Sequence, residues 1–170
     1  MRRTKRIAFG GILTALTVIA VFAAAYVPSG KLSVYVLASF FTAVFVIHFG
    51  AKFGLLFYIT ASLLSWILLP DKMAVVPYAG FFGWYGIVKS YIEKLNKLLL
   101  EWILKIVIMN LVFAVGYFLF RSFLPQIDFS SPWIWGGFIL LQIAFVVYDY
   151  VFTMVINVYY RRFYSKFGNE

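Results

Sequence analysis

Cysteine is absent from these 170 residues, so no disulfide, thiolate nucleophile or thiolate metal site can be built from them. Acidic residues number only six and histidine one, against fifteen lysines and arginines. A metal centre or an acid–base pair would have to draw on scattered carboxylates and on His48, which has no acidic neighbour in sequence. A glycine-rich phosphate loop of the form G-x-x-x-x-G-K-[ST] is also missing, so work driven by ATP must be supplied by another subunit. These absences point away from an enzyme, and no cofactor is expected.

What remains is overwhelmingly apolar. Hydrophobic residues make up 64% of the chain and charged residues 12%, too little polar surface to coat a water-soluble globule of this size. Apolar runs cover Ile7 to Val27, Leu32 to Phe49, Phe53 to Leu69, Met73 to Val88, Leu98 to Phe120 and Ile134 to Tyr159. They approach the roughly 20 residues a spanning helix needs, and they lack the alternation of barrel strands. The expected fold is therefore all-α: a six-transmembrane-helix bundle, forming a single integral membrane domain over residues 1–170. Pro28, Pro70 and Pro125 stand where helices should stop, with Ser29-Gly30, Asp71-Lys72 and the segment from Pro125 to Pro132 supplying turn chemistry.

Charge placement gives the orientation. With the N-terminus cytoplasmic, eleven basic residues lie inside (Arg2, Arg3, Lys5, Arg6, Lys52, Lys89, Lys94, Lys97, Arg161, Arg162, Lys166) and three outside (Lys31, Lys72, Arg121). This positive-inside bias predicts cytoplasmic N- and C-termini, and it accounts for the net charge of +9 without invoking nucleic acid. The basic start and Ala23-Ala24-Ala25 have the outline of a secretory leader, but the first run is expected to stay as a span.

Ionisable residues inside spans are costly unless paired or facing a cavity. Glu101, Lys105 and Asp149 are the three cases. Lys105 and Asp149 both lie roughly 10 to 14 Å from the inner ends of their helices, deep enough to pair, and Glu101 stands one turn from Lys105. Such a network reads either as glue between helices or as substrate and proton handling.

Two further patterns carry binding hypotheses. Trp135, Gln142 and Asp149 share one helix face, as do Asn110, Ala114, Tyr117 and Arg121. Tyr78, Phe82 and Tyr85 likewise stand beside a small-residue face of Ala79, Gly83, Gly86 and Ser90. Three consecutive helices would then enclose an outward pocket whose substrate-binding candidates are Tyr78, Trp84, Asn110, Tyr117, Arg121, Trp135 and Gln142. Ordinary close packing through small residues is the competing reading. On the first helix, Gly10, Gly11, Thr14 and Ala15 form a smooth strip suited to docking another membrane subunit.

With its basic start running into Lys5-Arg6-Ile7-Ala8 and Gly11-Ile12-Leu13-Thr14-Ala15-Leu16, its Pro28 break and its Gly50-Ala51-Lys52-Phe53-Gly54 turn, the chain resembles the substrate-binding S components of energy-coupling factor (ECF) vitamin transporters. The resemblance implies a bacterial plasma-membrane protein that captures a vitamin-like micronutrient in its outer half. It implies as partners a transmembrane T component, a pair of cytoplasmic ATPases and membrane lipid. Gly11 and Ala15 would hold the places of the family's helix 1 A-x-x-x-A strip, with glycine for the first alanine. Arg121 and Lys31 at the outer mouth would suit an anionic ligand. The alternative is a ligand-free scaffold resembling rod-shape-determining membrane subunits, although their helix 3 often ends in an acidic residue where this chain has Ser65.

Overall fold

The computed structural model describes residues 3–120 and 132–164, with side chains described over 4–119 and 135–162. Every regular element among the described residues is helical. The long helices are α1 (Arg3–Tyr26), α2 (Lys31–Phe49) and α3 (Ala51–Leu68), followed by α6 (Leu98–Phe120) and α7 (Pro132–Tyr159). Each of these five is long and apolar enough to cross a membrane. The remaining predicted span, Met73–Val88, lies in a run of mixed pitch covering 72–95. It consists of a 3-10 turn (Lys72–Ala74), α4 (Val75–Pro77), a π-helical turn (Tyr78–Phe82), α5 (Gly83–Ile92) and a second 3-10 turn (Glu93–Leu95). Pro77, which has no amide hydrogen to donate, sits where α4 gives way to the π turn.

Local chemistry sets the breaks. Gly30 (φ 82°) and Gly50 (φ 85°) take positive φ at the starts of α2 and α3, and Asn96 (φ 50°) does so after the last 3-10 turn. Between α3 and the mixed-pitch run, the Lys72 ammonium donates to the carbonyls of Trp66 and Leu69, the latter at 2.7 Å. It thereby satisfies carbonyls that the helix end leaves without partners. Asp71 Oδ1 accepts from the Met73 amide at 2.9 Å and caps the following turn.

The chain divides into two compact units, 1–101 and 102–170. In the first, α2 packs against α1, α3 and α5. Its core is made of small and hydroxylated residues between aromatic plates. Leu13, Thr17, Ala20, Val21 and Ala24 form the buried stripe of α1, and Gly54, Phe57, Ala61 and Ser65 that of α3. Small side chains let helix backbones approach, which replaces the hydrophobic drive that lipid removes. Gly54 marks one such approach, since a Cβ there would fall 2.3 Å from Val46 Cγ2. In the second unit, Met109, Phe145 and Phe152 are buried together with Lys105 and Asp149.

Candidate functional site

A groove of about 690 Å³ runs along the outside of the first unit between α1 and α3. Gly10, Gly11, Thr14, Ala15, Val18 and Ile19 line it from α1, and Phe53, Leu56, Phe57, Thr60, Leu64 and Leu68 from α3, with Phe45 of α2 between them. Arg6 closes one end, its guanidinium 4.0 Å from the centre of the Phe53 ring. The four residues read as one docking strip divide into two roles. Thr14 is buried, and Gly10 lies close enough to α2 that an added Cβ would stand 3.1 Å from Phe45. Gly11 and Ala15 are exposed, and an added Cβ at Gly11 would meet nothing within 4 Å.

Behind that face, the mixed-pitch run is held by tyrosines. Tyr35 of α2 donates to the Ala74 carbonyl at 2.7 Å, and Tyr58 of α3 donates to the Ala79 carbonyl at 2.6 Å. Irregular backbone that is buried needs hydrogen-bond partners inside the protein, and these two hydroxyls supply two of them. The Tyr78 hydroxyl lies 3.2 Å from Thr42 Oγ1, both residues being fully buried. Gly83 admits the Tyr58 ring, to which an added Cβ would come within 2.6 Å. Ser65 Oγ is buried among these helices with no hydrogen-bond partner. On α5, Lys89 is buried and paired with Glu93 at 2.7 Å.

The second unit carries two polar links between α6 and α7. Lys105 Nζ lies 2.9 Å from Asp149 Oδ2 with both side chains buried, so the pairing expected from sequence is present. Gln142 Nε2 donates to Asn110 Oδ1 at 2.8 Å, and Asn110 Nδ2 donates to the Ile106 carbonyl at 2.9 Å. Five residues separate the links on α6 and seven on α7, roughly 8 and 11 Å of rise. They stand as successive rungs between antiparallel rods. Trp102 completes the lower rung, its ring centre 5.4 Å from the Lys105 ammonium. Glu101 is half-buried in the first turn of α6.

The other predicted binding residues fall as follows. Tyr78 is taken up by Thr42, and the Trp84 indole donates to the Gly80 carbonyl one turn earlier at 2.8 Å. Tyr117 and Trp135 are exposed. Arg121, with the 125–132 segment, lies outside the described residues. Tyr35, Thr42 and Tyr58 were not singled out from sequence, because a tyrosine within an apolar run gives no signal of which carbonyl it will meet. Pro77 was a clue to Tyr35 alone: a proline inside a predicted span frees a carbonyl one turn back, here that of Ala74, and creates a need for a donor.

By length and composition the five long helices are compatible with a multi-pass membrane protein, and no cluster of potential metal ligands occurs among the described residues. Compared with known proteins, the chain matches no family model, no curated protein and no solved structure.

Proposed function

We propose that this chain is a membrane-embedded capture subunit of an ECF-type importer, taking up a vitamin-like micronutrient at a bacterial plasma membrane and leaving ATP hydrolysis to partner subunits. The observation that supports this reading is the α1 surface: Gly11 and Ala15 remain exposed along an open groove and are not consumed by internal packing. A smooth, small-residue surface on a membrane helix suits close approach by another membrane helix. In this reading both termini are cytoplasmic, six crossings include the 72–95 run, and Gly11 and Ala15 meet the T component.

Ligand contacts are proposed for the second unit, where the exposed Tyr117 and Trp135 stand two turns from the Asn110–Gln142 amides along the same helices. An amide pair that satisfies itself in the empty state exchanges one hydrogen bond for a ligand group at little cost, which is what reversible capture requires. Arg121 would add a cation for a carboxylated ligand.

The test is purification in mild detergent, with mass spectrometry of small molecules released on denaturation and identification of co-eluting subunits. A vitamin-sized ligand together with ATPase subunits supports capture. Cell-wall assembly proteins and no ligand would overturn it in favour of a scaffold.

A further inference from the structure

We propose that the groove between α1 and α3 is a binding site for one anionic phospholipid, with an acyl chain along the groove and the phosphate at Arg6. This does not rest on the transport reading. In that reading the lipid occupies the unassembled subunit and leaves when a partner docks.

Shape, polarity and charge each point to that occupant. From Arg6 to Ile19 the groove follows α1 for roughly 20 Å, close to an extended acyl chain and slightly more than one leaflet of a hydrocarbon core about 30 Å thick. Its volume of about 690 Å³ falls within the range of roughly 300–1,000 Å³ that holds a single small ligand. Apart from Arg6 at the end and the Thr14 and Thr60 hydroxyls, the lining is apolar or glycine. Thr60 Oγ1 already donates to the Leu56 carbonyl at 2.8 Å, which leaves its methyl group for packing.

The mouth is positive, and no acid lines the groove among the described residues. Arg6 stacks on Phe53, which leaves the guanidinium edge with donors for phosphate oxygens, and no carboxylate pairs with it among the described residues. Lys5, next to Arg6 in sequence, and Lys52, next to Phe53, are both exposed. Phe53 itself belongs to the first turn of α3, whose amides have no side-chain cap. A helix start adds partial positive charge to that of the arginine. A zwitterionic lipid would fill the same groove but gain less at this mouth.

The experiment is native mass spectrometry on the full chain, delipidated in mild detergent and titrated separately with dioleoyl-phosphatidylglycerol and dioleoyl-phosphatidylcholine. One phosphatidylglycerol per chain should be retained, about fivefold more strongly than phosphatidylcholine. Arg6→Gln should bring the two lipids to near parity while one chain still binds. Gly11→Leu, at a position with open space, should remove both, and Ala15→Phe should do the same. Helicity and detergent melting of each variant establish that it is folded. Equal retention of the two lipids by the unaltered chain would overturn the site. So would a phosphatidylglycerol preference that survives Arg6→Gln, occupancy that survives both filling variants, or a protein dimer in place of bound lipid.

Discussion

The two units solve the problem of cohesion in an apolar setting by different means. In the first, 39% of the most apolar stretches of α1 and α2 and 22% of that of α3 is buried, through alanine, glycine, serine and threonine contacts. In the second, only 11% of the corresponding stretch of α6 is buried, and 17% of that of α7. Where lipid-like surface is plentiful and burial slight, van der Waals packing offers little to fix one register over another. Polar links then carry the register. The contrast is between an ion pair that links two long helices in the second unit and close small-residue packing in the first, where the buried Lys89 pairs within its own stretch of chain.

The sharpest way to break this comparison is at Asp149. Asp149→Ala leaves a buried ammonium without its carboxylate and should destabilise the protein by about 3–5 kcal/mol. Replacing both partners, Lys105→Met with Asp149→Leu, should recover most of that loss in detergent unfolding titrations. Equal losses for the single and double variants would show that the rung is not a coupled pair. In the first unit the matching test is steric. Gly83→Ala pushes a methyl group into the Tyr58 ring and close to the Tyr78 carbonyl, with an expected cost of about 1–3 kcal/mol in the same assay.

Smaller effects sharpen the contrast. Tyr58→Phe removes the donor to the Ala79 carbonyl and should cost about 1–2 kcal/mol, with faster amide exchange confined to the π turn by hydrogen–deuterium mass spectrometry. Gln142→Leu should cost about 0.6 kcal/mol, the size typical of hydrogen bonds between membrane helices. Gly11→Ala should change melting by less than about 0.5 kcal/mol, because the added methyl group meets open space.

Much of the helical framework was legible beforehand. The run from Leu98 to Phe120 coincides with α6, and those from Ile7, Leu32, Phe53 and Ile134 locate α1, α2, α3 and α7 to within four residues at either end. Long apolar runs leave few alternatives once proline and glycine mark their limits. The Lys105–Asp149 pair was legible for a related reason: two opposite charges at similar depth on neighbouring helices have few other partners. The mixed pitch of 72–95 was not foreseen, since hydropathy is blind to how a backbone is wound. Nor was the division of the α1 strip, because Gly10 and Gly11 are identical in sequence and differ only in whether Phe45 stands opposite. Trp84, chosen as a ligand contact, gives its indole hydrogen to its own helix, a local choice that spacing does not reveal.

The two buried lysines also imply different histories during synthesis. Lys89 has its counter-charge four residues on, so the two leave the ribosome together and the ammonium can pair at once. Lys105 meets Asp149 only after forty-four further residues have been made, about 2–9 seconds at ordinary elongation rates. For that interval the nearest carboxylate in sequence is Glu101, one turn earlier on α6, and the rung that fastens α6 to α7 is not yet made, so α6 should linger beside the insertion machinery until α7 emerges to release it.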